Sequence, residues 1–110
     1  MAATVGEFEQ VVLLAILRLG ETAYAVTIRQ EIATHTNRKP SPGALYTTLD
    51  RLEDKGLVTS RLGDPTAQRG GRAKRYFKVS ARGIAVVARV QRSYGRLLAG
   101  LVLPGVVHAR

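Results

Sequence analysis

The amino-acid sequence predicts a mainly α-helical protein with one small β-hairpin and a long last helix. Three segments in the first half repeat their apolar residues at helical spacing. Two short stretches of β-branched and aromatic residues then flank a glycine-rich loop, and another long segment of helical spacing follows. With 110 residues and 45% hydrophobic content, the chain can build one modest core.

The first helix is predicted from Glu7 to Leu19, and Gly20 supplies the stop. Its apolar residues recur every three or four positions: Phe8, Val11, Val12, Ala15, Ile16 and Leu19. Leu13, Leu14 and Leu17 widen this apolar arc. We therefore expect the helix to pack against both its own domain and a partner chain.

A second helix is predicted from about Tyr24 to His35. Its expected buried residues are Ala25, Ile28 and Ile32, whereas Arg29, Gln30 and Glu31 are expected to face water.

The third helix has the clearest boundaries. Ser41 provides a capping hydroxyl, and Pro42 occupies the first helical position, where proline is well tolerated. Leu45, Leu49 and Leu52 share one face, and Lys55-Gly56 ends the helix.

Two strands are predicted at residues 57–62 and 74–79, with Phe77 and Val79 on the core face. Residues 63–72 between them form a loop of turn-forming residues with basic side chains at one end. The pair is therefore a hairpin with an exposed basic tip.

Ser80 is predicted to cap a last helix that runs from about Ala81 past Leu101 until Pro104-Gly105. One seam of this helix is formed by Ile84, Val87, Gln91, Tyr94, Leu98 and Leu101. A helix of roughly 20 residues is too long for so small a core to cover, so we expect its outer half to pair with a second copy.

The order helix, helix, helix, hairpin, helix predicts a winged helix-turn-helix followed by a dimerisation helix. We assign residues 1–80 to a DNA-binding domain and residues 81–110 to the dimerisation helix and tail. Two helices joined by a turn are common, but a basic hairpin directly after them favours DNA binding.

The charge distribution supports a polyanionic partner. There are 17 Lys and Arg residues against 8 Asp and Glu residues, which gives a formal net charge of +9. The last acidic residue is Asp64, whereas residues 69–96 carry nine basic side chains. Such one-sided clustering favours nucleic acid through counterion release.

Other function classes find little support in the sequence. The chain has no Cys, and its two His residues, His35 and His108, lie far apart, so we expect no metal, no cofactor and no enzymatic activity. No signal peptide is recognisable at the N-terminus. The longest apolar run, from Val11 to Leu17, is far shorter than the roughly 20 residues of a membrane span, so we expect a cytoplasmic protein.

Four segments carry a family resemblance: residues 6–9 (GEFE), 23–24 (AY), 41–58 (SPGALYTTLDRLEDKGLV) and 69–77 (RGGRAKRYF). Together and in this order, they resemble the PadR family of bacterial transcriptional regulators, over about residues 6 to 101. The resemblance implies a homodimeric repressor that binds a palindromic operator near its own promoter. The length and single C-terminal helix resemble the shorter family members.

Carried over by position, the resemblance implies two sets of DNA contacts. Those of the third helix are Ser41, Gly43, Tyr46 and Thr47, and those of the wing are Arg69, Arg72 and Lys74. The alternative for Tyr46 is a buried core aromatic, and the alternative for the wing is a solvated loop. Arg51 either contacts phosphate or pairs with Glu53, Asp54 or Glu31.

Dimerisation is assigned to Phe8, Ile84, Val87, Tyr94, Leu98 and Leu101. Family members often respond to small aromatic molecules bound near the dimer interface, and here only Phe8, Tyr24 and Tyr94 are available to line such a site. A competing interpretation is a protein-interaction module whose basic surface is incidental. Membrane-surface binding is less favoured, because Tyr94 is the single anchoring aromatic of the last helix.

Overall fold

The computed structural model describes residues 4–63 and 73–105. Within these ranges the chain is mainly helical with one two-stranded antiparallel sheet, which confirms the predicted fold class. The elements are α1 (Glu7–Leu19), a 3-10 turn (Gly20–Thr22), α2 (Ala25–His35), α3 (Pro42–Asp54), β1 (Val58–Leu62), β2 (Arg75–Val79) and α4 (Ala81–Leu98).

Helix α1 lies at the centre of the fold and contacts α2, α3, β2 and α4. Val12 and Leu13 are fully buried, and the predicted stop at Gly20 has a positive φ of 59°. Leu14 and Leu17 remain largely exposed, so the wide apolar arc is only partly used within the protomer.

Helices α2 and α3 pack their apolar faces on α1. Ile28 and Ile32 are buried as predicted, whereas Ala25 is only partly buried. The expectation that Arg29 and Glu31 simply face water was wrong, since both side chains are partly covered. Arg29 Nε donates to the Pro40 carbonyl at 3.0 Å, which fastens α2 to the turn before α3.

The hairpin closes the core from the side of α3. Val58 pairs with Val79 and Ser60 with Phe77, and the buried side chains Phe77 and Val79 face the core as predicted. The Phe77 amide donates to the Ala23 carbonyl at 2.8 Å, so the sheet is also bonded to the segment before α2.

Helix α4 begins as predicted and ends earlier than predicted. Ser80 Oγ accepts from the Gly83 amide at 3.0 Å. Gly83 must lack a side chain, because a Cβ there would fall on the Leu57 carbonyl oxygen. The extension past Leu101 was wrong: Ala99 leaves helical geometry with ψ of 124°, and Gly100 takes a positive φ of 74°.

Glycine at this position is the usual helix terminator, and Gly100 precedes the Pro104-Gly105 pair at which the sequence predicts the stop. Leu101 therefore lies beyond the helix, where its amide donates to the Leu98 carbonyl at 2.9 Å. It cannot continue a helical seam with Tyr94 and Leu98.

A partly buried ion pair connects the start of α1 to the end of α3. Lys55 Nζ lies 2.9 Å and 3.0 Å from the two carboxylate oxygens of Glu9, and it also donates to the Thr4 carbonyl. Glu9 Oε1 in turn accepts from the Gly6 amide at 2.8 Å. Burial raises the pKa of Glu9. The hydrogen bonds from Lys55 and Gly6, together with the charges of Lys55 and Arg51, lower it by more, so the net shift is downward.

Glu9→Gln should therefore lower the free energy of unfolding by about 2 kcal/mol at neutral pH, because hydrogen bonds to a charged group are lost. A depressed folded pKa stabilises the fold above the unfolded value of about 4.5, and this contribution disappears as the pH falls through the folded pKa. Urea unfolding at several pH values measures both effects.

Glu7→Gln is the matched control, since the Glu7–Arg38 pair is solvent-exposed and should contribute under about 1 kcal/mol. Equal losses for the two variants, or a Glu9→Gln loss that does not shrink in acid, would contradict the role of the Glu9–Lys55 pair.

Candidate nucleic-acid interface

The N-terminal turn of α3 presents backbone amides and no acidic side chain. Ser41 Oγ accepts from the Ala44 amide at 3.1 Å and keeps its own proton for donation. Ser41 and Gly43 are both exposed. Because the helix dipole adds positive potential at this end, the turn suits a phosphate oxygen.

The outward face of α3 carries Gly43, Tyr46 and Thr47. Tyr46 is 49% exposed, whereas Leu45 and Leu49 on the opposite face are fully buried. This excludes the alternative in which Tyr46 is a buried core aromatic. A glycine, a phenol and a threonine here allow close approach, hydrogen bonding and a methyl contact, which are the means by which base edges are recognised.

Aromatic and cationic side chains join the hairpin to Tyr24, the residue just before α2. The rings of Tyr24 and Tyr76 meet edge to face with centroids 5.5 Å apart. Lys74 Nζ lies 4.5 Å from the Tyr24 centroid, and the Arg61 guanidinium lies 4.9 Å from that of Tyr76. Two cations are thus held at the base of the wing by aromatic rings, and Arg61 also lies 3.6 Å from Glu21.

A second connection joins the hairpin to the end of α3. Ser60 Oγ donates to Glu53 Oε2 at 2.8 Å and accepts from Arg75 at 3.1 Å. The sheet is therefore bonded on one side to the segment before α2 and on the other to α3. Together these contacts set the position of the two strands relative to the outward face of α3. No local pattern in the sequence predicts this relation.

Of the three predicted wing contacts, the structure describes Lys74, which is exposed beside Tyr24. Arg69 and Arg72 lie outside the described residues. The contact of all three with DNA stays a prediction.

For Arg51 the sequence predicts either phosphate binding or an ion pair. Glu31 pairs with Arg18 at 2.6 Å, and the Arg18 hydrogen bond lowers the pKa of that carboxyl. Glu53 accepts from Ser60. Across the described ranges no carboxylate lies within ion-pair distance of Arg51, and its side chain is exposed. Its charge nevertheless contributes to lowering the pKa of Glu9.

The predicted dimerisation residues fall into different environments. Ile84, Tyr94 and Leu98 are at least half exposed. Val87 was misassigned to a free seam: it is only 8% exposed, because it packs in the core of its own chain. Phe8 also packs against that core, with the Arg38 guanidinium 5.6 Å from its ring centroid.

The described part of the chain holds no group of three potential ligands that could bind a metal ion. His35 instead lies 3.0 Å from Glu31, one turn away on α2, and His108 lies outside the described residues. Among residues 4–63 and 73–105, no helix combines the length and apolarity needed to cross a bilayer.

Three packed helices, of which the third exposes a polar face beside an anchored hairpin, define a winged helix-turn-helix of the DNA-binding regulator class. The family model described as "Transcriptional regulator PadR-like family" matches residues 13–89. The chain therefore belongs to the PadR-like family of transcriptional regulators. A comparison with curated proteins finds no matching sequence.

Solved structures agree on the fold. A PadR family transcriptional regulator from Eggerthella lenta is 25% identical with a TM-score of 0.65, and the match covers 86% of this chain and 81% of that one. A PadR-like transcription factor from Bacteroides fragilis is 23% identical with a TM-score of 0.68, covering 84% of each chain. The protein smu.1704 from Streptococcus mutans is 19% identical with a TM-score of 0.65, covering 99% of this chain and 100% of its own.

Replacing Lys74 and Arg72 by Ala should weaken binding to all DNA sequences alike, because phosphate contacts carry no sequence information. The slope of log affinity against log salt should become shallower by about 0.9 per lost contact. Anisotropy titrations of one duplex at several salt concentrations give the slope. Arg92→Ala, which removes an exposed charge from α4, should leave it unchanged, and an unchanged slope in the wing variant would assign these residues to solvated surface.

Proposed function

We propose that this protein is a homodimeric transcriptional repressor that binds a palindromic operator. The observation that carries the proposal is the outward face of α3, which is polar, exposed and flanked by an anchored basic hairpin. Occupancy of an operator near a promoter would block transcription by excluding the polymerase. Since the template is chromosomal DNA, we also propose that the protein works in the cytoplasm.

In this proposal α3 enters the major groove by its N-terminal half. Tyr46 and Thr47 contact base edges, while Ser41 and the amide of Gly43 contact a phosphate. The wing, with Lys74, Arg69 and Arg72, contacts the adjacent backbone and supplies the salt-dependent part of the affinity. The base contacts select the operator, and the phosphate contacts fix the register.

Dimerisation through α4 would supply the second half-site. The first half of α4 completes the core through Val86 and Val87, whereas Tyr94 and Leu98 are 64% and 51% exposed. Burying such side chains against a second copy gains roughly 1.5–3 kcal/mol each. We therefore propose that residues 1–80 bind DNA and that residues 81–110 pair the subunits. The start of α4 also completes the core of the DNA-binding domain.

We assign no effector to the single protomer. A groove between α1, the sheet and the start of α4 measures about 250 Å³ and is lined by Leu17, Phe77 and Ile84 among others. Pockets that bind drug-sized ligands measure roughly 300–1,000 Å³. Phe8, Tyr24 and Tyr94, the aromatics proposed for an effector site, do not line this groove.

Tyr46→Ala and Thr47→Ala should each weaken operator binding by about 1–3 kcal/mol and leave affinity for scrambled DNA nearly unchanged. The operator is first obtained by selecting bound duplexes from a random pool, and each variant is then titrated against it.

Thr34→Ala, which alters an exposed threonine of α2, is the control for folding and should bind like the parent. Parental binding by both α3 variants would show that another face reads DNA. A parent that selects no sequence would instead support the interaction-module alternative.

The combined change Tyr94→Ser and Leu98→Ser should abolish dimerisation while preserving the fold, because both side chains are exposed within the protomer. Operator affinity should fall with it, since each bound arm raises the effective concentration of the other. Sedimentation and operator titration measure the two effects on the full chain. Arg92→Ser, on the same helix, should alter neither, and a double variant that stays dimeric would refute the assigned interface.

A further inference from the structure

The carboxylates of this chain differ in how they are neutralised. Four of the described carboxylates form ion pairs: Glu7, Glu9, Glu21 and Glu31. Glu53 accepts a hydrogen bond from Ser60. Asp50 and Asp54 have neither kind of partner within the described residues, despite a net charge of +9.

Both carboxylates lie on the outward face of α3. Gly43, Thr47, Asp50 and Asp54 are spaced by four, three and four residues, so they form one line along the helix, and all are exposed. Asp50 is one turn from both Thr47 and Tyr46. It therefore shares the surface on which the proposed base contacts lie.

An acidic group in this position weakens binding to any polyanion. Its charge repels phosphates, and the C-terminal half of a helix does not favour negative charge. No cation among the described residues forms an ion pair with Asp50 or Asp54. A duplex that displaces water from such a carboxylate offsets this cost only if it supplies a hydrogen-bond donor.

The major groove offers few hydrogen-bond donors. They are the N4 amino group of cytosine and the N6 amino group of adenine, and adenine also presents the N7 acceptor, which repels a carboxylate. A carboxylate is an acceptor only and so fits the cytosine amino group.

We propose that Asp50 is a specificity-determining residue whose carboxylate accepts a hydrogen bond from a cytosine N4 amino group in each half-site. The inference rests on the proposed function, in which the outward face of α3 reads the operator. Asp50 disfavours DNA that lacks a cytosine at this register, because its charge is then left uncompensated against the duplex.

Asp54 provides the matched comparison. It is the last residue of α3 and lies one turn farther from the N-terminal half that reads bases, about 6 Å along the axis. It carries the same charge and is equally unpaired. Its removal changes general attraction to DNA but not the base preference.

The test selects bound duplexes from a random pool with the parent, Asp50→Ala, Asp50→Asn and Asp54→Asn. The parent should require a C·G pair at one position of each half-site. Asp50→Ala should reduce the preference for C·G over the other base pairs at that position by about 5- to 150-fold. Asp50→Asn should shift the preference toward adenine, which an amide contacts in bidentate fashion. Asp54→Asn should keep the parental preference while binding unrelated duplexes more tightly.

Circular dichroism melting confirms that the exposed substitutions leave the fold intact. If the parent selects an operator and both Asp50 variants keep its full base preference, this inference is overturned while the proposed function stands. If the parent selects no sequence at all, the proposed function fails, and the role of Asp50 fails with it.

Discussion

The burial of one face of α3 is the constraint on which the rest of the structure depends. Leu45, Leu49 and Leu52 have no exposed surface, and burying each gains roughly 1.5–3 kcal/mol, so the helix cannot rotate about its axis without a large loss. The polar residues opposite are held outward by the same packing. The surface available to DNA is thus a consequence of the core.

The two ends of α3 are fixed by different interactions. Ser41 caps the first turn, and Lys55, just after the last turn, reaches the buried carboxylate of Glu9 on α1. Glu53 adds a connection to the hairpin through Ser60. Because Ser60 of the hairpin is bonded to Glu53 and Tyr76 contacts Tyr24, α3 and the described part of the hairpin are held in one relation to each other.

Local signals predicted much of this arrangement. Ser41-Pro42 and Gly56 bound α3, Gly20 ends α1, and the alternation of Phe77 and Val79 gives the inner face of the sheet, because caps and periodicity act within a few residues. The end of α4 was predicted too late in the chain, although Gly100 is a typical helix terminator. The burial of Glu9, the core position of Val87 and the Tyr24–Tyr76 contact depend on residues distant in sequence, and no local pattern specifies them.

The central claim is that the outward face of α3, and no other surface, lies in the major groove of an operator bound by two copies. Because the chain contains no Cys, Ala44→Cys provides a unique attachment point for an iron–EDTA cleavage reagent at an exposed position of the first turn of α3 that has no assigned DNA contact. Arg92→Cys on α4 provides the control. Bound to a selected operator, the first conjugate should cut DNA in two clusters about 10 base pairs apart, and the second should not cut. Cleavage from position 92, or cuts from position 44 without two-fold spacing, would contradict the account.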